Sequence, residues 1–390
     1  MLKKYITSLL FFVLTSTIFS QATVKLSIYS KVSIITSGPG DAIYEKFGHT
    51  AIRVKDPVLN LDILYNFGIF DFDDPNFILN FTKGYMNYKL AGYPFYLALK
   101  SAQKDKRWVK EQVLNLTQEQ KNKFFYFLVD NAKPENASYL YDPFFDNCAT
   151  RPRNIIQQIL GDNLVFSDEF VSQPQSLRQL MNKEINPNTW GSLGINIALG
   201  SKLDKIATPN EYLYLPDYLY KALEVSKINS NSEKKPLVKQ SRTLLEFNEK
   251  EAKSDVVSPF LVFLLLSLIG LFITYKDYIN NTRTKWLDFI LFFSTGLFGV
   301  VIVFLSFFTN HSTAPNNYNF LWAFAPNLVI AFLLLKSKLK NWIKYYVIIL
   351  GVLLILIPVI WALKIQLFPL VLLPFFILLL IRYSFLYKKL

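Results

Sequence analysis

Residues 256–274 read VVSPFLVFLLLSLIGLFIT, a run without a single charged side chain. A run of this length crosses a hydrocarbon core of ~30 Å as a helix. Only a helix satisfies its own backbone polar groups there without closing a barrel. Four further apolar stretches follow at 286–308, 319–335, 343–363 and 365–381. They predict an all-α bundle of about five transmembrane helices filling 256–390. What precedes differs in kind. Residues 22–225 mix polar, aromatic and β-branched residues, as expected of one α+β domain with a substantial core. Between the two parts, 226–255 is polar and charged and reads as a linker, with some helix expected around 242–253.

Loop charges orient the bundle. The loop after the first span carries Lys276, Arg283 and Lys285, and the loop 309–318 carries neither Lys nor Arg. Lys336, Lys338, Lys340 and Lys344 follow the third span, Lys364 alone joins the last two, and Arg382, Lys388 and Lys389 form the tail. By the positive-inside rule the domain 22–225 lies outside the cytoplasm. The start agrees. Lys3 and Lys4, the apolar run from Leu9 to Leu14 and a small-residue cut site after Ser20 predict a signal peptide over 1–21. An uncleaved anchor helix is the alternative, and it delivers the domain to the same side. Much of the net charge of +13 sits in the cytoplasmic loops, so the basic balance does not point to nucleic acid. Pro358, Pro369 and Pro374 are expected to kink the last two spans. Asp288, near the inner end of its span, is expected to snorkel.

Inside the exported domain, 24–36 predicts an early strand and 37–41 a Gly/Pro loop. Residues 47–54 and 61–67 predict an antiparallel hairpin. With its centre between Pro57 and Val58, His49 falls opposite Asn66. Thr117-Gln118-Glu119-Gln120 has the form of a capping box ahead of a helix over 118–131. A later helix starts near Cys148 and stops at Gly161. The aromatic stretch 70–96 predicts a covering loop or a membrane-facing surface.

Cys148 is the only cysteine, so no intramolecular disulfide forms. Its setting, Asp146-Asn147-Cys148-Ala149-Thr150-Arg151-Pro152-Arg153, is polar and basic rather than core-like. A helix entrance, capped by Asn147 or Asp146, and nearby Arg151 and Arg153 favour the thiolate. A thiolate needs a proton acceptor, and His49 is the only histidine in the domain; His311 lies in the second outside loop. Asn66 is the leading orienter of the imidazole, with Asp62, Asp71 and Tyr65 as competitors. The structural alternative is a small buried cysteine and an unrelated histidine. One cysteine and one histidine, with neither HExxH nor CxxC, fall short of a zinc site, and no cofactor is indicated.

Histidine on a strand followed by cysteine at a helix start resembles the circularly permuted papain-like enzymes, which include the lecithin:retinol acyltransferase group and relatives of NlpC-type peptidases. More closely, Phe47-Gly48-His49-Thr50-Ala51-Ile52-Arg53-Val54, Tyr65-Asn66-Phe67-Gly68-Ile69-Phe70-Asp71-Phe72 and the Cys148 segment resemble the Lnb-type proteins of Bacteroidota, in which an exported thiol domain precedes a small membrane bundle. The segment 311–322 is similar too. The resemblance covers essentially the whole chain. It implies a multi-pass protein of the bacterial inner membrane with a periplasmic catalytic domain. It also implies lipoprotein N-acylation: Cys148 takes an acyl chain from a phospholipid as a thioester, and the α-amine of a lipoprotein's N-terminal cysteine accepts it. His49 serves as base in both halves.

Membrane placement suits such substrates. Extracting a long acyl chain into water costs on the order of 10 kcal/mol at ~0.8 kcal/mol per methylene. Arg53, Arg151 and Arg153 are candidates for a lipid phosphate. His311 is a candidate for the lipid route at the interface. Asn327, polar within the third span, is expected to face the bundle interior or a cavity. Each of the arginines is otherwise a solvated charge. Two rival functions share these features. One is a membrane-anchored cysteine peptidase or amidase acting on cell-wall peptides, for which five spans are superfluous. The other is a non-enzymatic docking module of the envelope.

Overall fold

The computed structural model describes residues 24–70, 73–230, 233–249 and 251–389. The expected signal segment 1–21 lies outside them. The strands in chain order are β1 (Lys31–Ser37), β2 (His49–Asp56), β3 (Leu61–Ile69), β4 (Asn87–Pro94), β5 (Val109–Leu114), β6 (Ser138–Leu140), β7 (Leu164–Val165), β8 (Lys227–Ser230), β9 (Glu233–Pro236) and β10 (Val238–Leu245). One antiparallel sheet runs β10-β5-β1-β2-β3-β4-β6, and β7, β8 and β9 form a second, small one. Around them lie the helices α1 (Phe77–Lys83), α2 (Phe95–Lys104), α3 (Gln118–Asn131), α4 (Thr150–Leu160), α5 (Leu177–Glu184), α6 (Trp190–Ala198) and α7 (Pro216–Val225).

Strand alternation sorts the sheet into two faces. Ile52 and Val54 of β2 and Tyr65 and Phe67 of β3 pack with Phe124 and Leu128 of α3, Ile155 and Ile156 of α4 and Leu219 and Leu223 of α7. Ala51 and Leu64 face the other way, onto Phe95 and Ala102 of α2. His49 and Asn66 share the parity of Ala51 and Leu64, so both belong to the α2 face.

The hairpin turns one position later than expected. Asp56 Oδ1 accepts the N–H groups of Val58 (2.9 Å) and Leu59 (3.3 Å), and Asn60 takes φ 51°. This turn sets Ile52 across from Tyr65 and Asp56 across from Leu61. Continued, the register places Ala51 opposite Asn66, with His49 on the diagonal. Moving the turn by one position changes the register by two residues, so the face is preserved.

The segment expected as a linker is built into the fold. β10 pairs with β5 at the sheet edge, and Arg242 Nε donates to Glu111 Oε2 at 2.6 Å. Its side chains are mostly exposed, so this edge strand lacks the apolar alternation that marks strands in sequence. The helix expected around 242–253 is absent: the strand runs to Leu245. Thr117 does cap α3, accepting Gln120 N–H at 3.2 Å while Gln120 Oε1 accepts Thr117 N–H at 2.9 Å.

The bundle comprises α8 (Pro259–Ile279), α9 (Lys285–Phe307), α10 (Asn327–Leu334), α11 (Trp342–Ala362) and α12 (Leu373–Lys389). Four of these, α8, α9, α11 and α12 with the 3-10 turn leading into it, are long and apolar enough to cross a membrane. The third apolar stretch is interrupted instead: a 3-10 turn at Tyr318–Leu321, then the short α10. It still runs the depth of the bundle. Asn317 donates to Ile197 O of the sheet domain at 2.7 Å. At the other end Arg283, between α8 and α9, donates to Leu334 O (2.9 Å) and Lys336 O (2.7 Å).

The final helix begins at Leu373 rather than at 365. Pro369 and Pro374 therefore sit at its entrance, while Pro358 lies inside α11. Arg382, expected in the tail, is buried within α12. Its Nε donates to Asp288 Oδ1 at 2.7 Å and its Nη1 to Asp277 Oδ2 at 2.8 Å. Asp288 does not snorkel, because its cation comes to it. Arg382→Met leaves two carboxylates without that partner and should destabilise the full chain by about 3–5 kcal/mol. The midpoint of thermal unfolding in detergent checks this, and adding Asp288→Leu should recover part of the loss.

The sheet domain is bonded to the bundle. Gly200 N–H donates to Thr313 O (2.8 Å), Ser201 N–H to Asn316 O (3.0 Å) and Leu367 N–H to Asp204 Oδ1 (3.1 Å). Behind this seam, buried Arg178 holds Asp204 at 3.0 Å and the carbonyls of Leu199 and Gly200 at 2.9 Å.

Candidate active site

Cys148 sits two residues ahead of α4, at a turn locked by its neighbour. Asn147 Oδ1 accepts the N–H groups of Ala149 (2.8 Å) and Thr150 (2.9 Å), so the helix-entrance acceptor is Asn147 rather than Asp146, while Ala149 directly precedes α4. Its Nδ2 donates to Pro143 O (2.8 Å) and Tyr214 O (2.9 Å). These four bonds hold the thiol's backbone from both sides. The helix body packs on the main core through Ile155, Ile156 and Leu160, which delivers its N-terminal end to the strand end bearing His49.

His49 opens β2, opposite Ser37 of β1. Gly48 precedes it with φ +73°, and a Cβ there would lie 2.8 Å from Ser37 O, so only glycine turns the chain this way. His49 Nε2 bonds Asn66 Oδ1 at 2.7 Å. Asn66 Nδ2 in turn donates to Tyr93 Oη at 3.1 Å. With Nε2 committed to the amide, Nδ1 is the nitrogen left to exchange a proton with Cys148.

The thiol and imidazole perturb each other. Burial pushes the Cys148 thiol up. The facing His49 imidazolium, with the N–H groups of Thr50 and of Cys148 itself, outweighs that and holds the thiol below its ordinary range. Burial also pushes His49 down, and Arg107 adds to this. The Cys148 thiolate and the Asn66 bond outweigh both, so His49 stays protonated above its ordinary range. Both directions favour a thiolate–imidazolium pair. Reactivity should therefore persist below the pH at which a free thiol loses it, and fall once acid protonates the thiolate. Asn66→Ala should slow alkylation of Cys148 by a small soluble reagent near neutral pH, by up to about tenfold for each unit by which the thiol pKa rises. With one cysteine in the chain, the labelled mass reads this directly. Tyr93→Phe should give the same effect in weaker form.

The pair opens on a cavity of about 340 Å³ whose walls include Tyr44, Phe47, Phe70, Tyr88, Phe95 and Leu99. Arg107 also lines it. Its guanidinium bonds Gly38 O (2.8 Å) and Glu45 Oε1 (3.2 Å), tethering the loop that leads to Gly48 and His49.

The other expected site residues stand elsewhere. Arg53 is buried, doubly bonded to Asp62 at 2.6 Å, paired with Glu111 and stacked on Phe95 at 3.8 Å. That engagement also removes Asp62 as an orienter of His49. Tyr65 faces the main core, and Asp71 lies outside the described residues. Arg151 is doubly bonded to Asp146 at 2.6 Å and lies 3.8 Å over Tyr139. Arg153 bonds Asn210 O and Asn154. His311 lies in the loop after α9, against Gly84. Asn327 is buried between helices, bonded to Thr295 (2.9 Å) and Tyr346 (2.5 Å). None of these lines the cavity. Tyr93 and Arg107, which do, are far from His49 in sequence and carry no local motif. Among the described residues, no cluster of three or more His, Cys, Asp or Glu side chains is placed to hold a metal.

An α+β domain in which His49 is bonded to Asn66 and faces Cys148, the domain itself bonded to a bundle of apolar helices, makes this a multi-pass membrane protein. Two family models match it: the Lnb N-terminal periplasmic domain over residues 19–183 and the Lnb transmembrane domain over residues 251–390. No curated protein and no solved structure matches. The chain belongs to the Lnb-type family, and that membership points to an enzyme.

Proposed function

We propose that this protein is a lipoprotein N-acyltransferase of the bacterial inner membrane, its sheet domain on the periplasmic side. One observation carries the reading: a buried cysteine and histidine, each favouring the charged form of the other, open on an aromatic cavity in a domain whose seam with the membrane bundle is hydrogen-bonded. Cys148 Sγ attacks the carbonyl carbon of a phospholipid ester. The acyl C–O bond breaks, and the departing lysophospholipid oxygen takes the proton held by His49. The thioester remains on Cys148. The α-amine of a lipoprotein's lipidated N-terminal cysteine then attacks it. The C–S bond breaks, the amine proton passes to His49, and the thiolate–imidazolium pair is restored. Two moderate steps replace one hard exchange of ester for amide.

The imidazole shuttles one proton per half-reaction, and Asn66 keeps its plane fixed while it does so. Neutral Asn66 suits the task, since it orients the ring without trapping the proton. The aromatic walls suit an acyl chain better than a polar cell-wall peptide. The full-length protein in vesicles of phospholipid carrying a labelled acyl chain should yield a labelled, hydroxylamine-sensitive enzyme. Addition of a diacylated lipopeptide should then move the label to the lipopeptide amine. Release of peptides from cell-wall fragments, with no label on the enzyme, would assign the site to hydrolysis instead.

A further inference from the structure

Helix α1 is left unused by the chemistry at Cys148, yet its construction is unusual for a helix in water. It buries none of its seven residues, and Ile78 and Phe81 are 75% and 52% exposed, with Leu79 and Tyr85 exposed beside them. A surface helix ordinarily turns such residues inward. Its surroundings say what covers them. Lys83 O accepts the N–H of Asn310 at 2.8 Å. Gly84, φ +80°, closes α1 against the same loop, where a Cβ would lie 2.7 Å from His311 N. Asn310 follows the end of α9, whose Phe307 is 78% exposed and Phe308 similarly bare. The apolar face of α1 thus lies beside the point where a membrane-crossing helix ends.

The same helix leads to the thiol, since exposed Phe81 stacks on Phe77 at 6.3 Å. Phe77 stacks on Phe70 at 5.9 Å, and Phe70 meets Tyr88 at 5.0 Å and Tyr44 at 6.0 Å. Phe70, Tyr88 and Tyr44 all line the cavity of Cys148. Ring contacts therefore run from α1 to the cavity, and α1 itself is bonded to the loop that follows α9.

We propose that α1 lies among the acyl chains of the leaflet nearest the sheet domain, and that a lipid chain reaches Cys148 along Phe77 and Phe70. The first half stands on exposure and on the bonded loop after α9. The second rests on the acyltransferase reading. Placement in a leaflet also accounts for the bare Phe307 and Phe308, which the same layer covers.

The test uses the full-length protein in lipid nanodiscs. In a Cys148→Ser background, Ile78→Cys, Phe81→Cys or, as control, Glu119→Cys on α3 is labelled with an environment-sensitive fluorophore. Nitroxide-bearing phospholipid, spin-labelled high on the acyl chain, should quench positions 78 and 81 at least threefold more than position 119. Equal, water-like emission at all three overturns leaflet placement. So does quenching at 78 and 81 by a labelled second copy of the chain rather than by lipid. For the route, Ile78→Asp combined with Phe81→Asp, with Cys148 intact, should lower acyl transfer from bilayer phospholipid at least tenfold. Alkylation of Cys148 by soluble iodoacetamide should be unchanged, which also shows that the domain is folded. Undiminished transfer overturns the route. Lipid quenching with no transfer by the unaltered protein would defeat the acyltransferase reading and leave the leaflet contact standing.

Discussion

Cys148→Ser should lower acyl transfer from phospholipid by roughly 10⁴-fold or more, without unfolding the domain. Serine fits the same space, and the Asn147 bonds that shape the turn involve only backbone groups of residues 149 and 150 and carbonyls elsewhere. What changes is the acidity of the attacking atom. A buried thiol is brought to its anion by a facing imidazolium and two N–H groups. A hydroxyl is too weak an acid for that environment to ionise, and its alkoxide would leave an acyl ester less readily than a thiolate leaves a thioester. The measurement is single-turnover labelling of the enzyme from radiolabelled phospholipid, with and without hydroxylamine. Transfer retained within tenfold would mean that the sulfur is not the acyl carrier. An unchanged acyl count on cellular lipoproteins, when this variant replaces the native chain, would reject the proposed function in the cell.

The second largest effect belongs to His49→Gln, expected at about 10²–10⁴-fold in turnover. The glutamine keeps a polar group beside Asn66 and cannot carry a proton. Two consequences separate this loss from simple misfolding. First, the thiol pKa should rise toward or beyond its ordinary value, because the stabilising cation is gone while burial remains. The alkylation profile should then move to higher pH, in contrast to the native profile, which extends into the acid range. Second, the alkylation rate at a pH above the new thiol pKa should recover while acyl transfer does not, since the departing oxygen still lacks a proton donor. A native-like profile for His49→Gln would show that another group ionises Cys148.

Much of this was legible along the chain, for reasons that differ between its parts. The membrane half was readable because hydrocarbon tolerates few unpaired charges, so composition alone marks the apolar runs. The interruption in the third run was not readable. Pro326 and Asn327 stand where it breaks, α10 starting at Asn327, but a proline and one amide in an apolar run do not say whether the helix kinks or stops; docking against α9 and the sheet domain decides that. Arg382 and Asp288 were misplaced for a related reason. A charge near the end of an apolar run reads as a headgroup residue unless its partner, here nearly a hundred positions away, is known to be packed against it.

In the sheet domain, alternation revealed the face of His49 and Asn66 but not their register, which the Asp56 turn decides. The polar edge strand β10 resembled a linker because its partner supplies backbone hydrogen bonds rather than apolar contacts. Arg53, Arg151 and Arg153 show the same blindness for charge: a guanidinium committed to Asp62 or Asp146 is written with the same letter as a free one.

The reacting atoms were nameable early because the domain holds one cysteine and one histidine, so scarcity alone narrowed the choice. Which side chains support them was a matter for the folded chain. Tyr93 reaches Asn66, Arg107 steadies the loop before His49, and Asn147 ties the turn bearing Cys148 to Tyr214 only when distant strands and helix ends converge. Residue identity sets what a group can do chemically and whether it tolerates lipid, both being properties of the isolated side chain. Who stands beside whom depends on burial and on contacts between remote segments, and no local pattern encodes those.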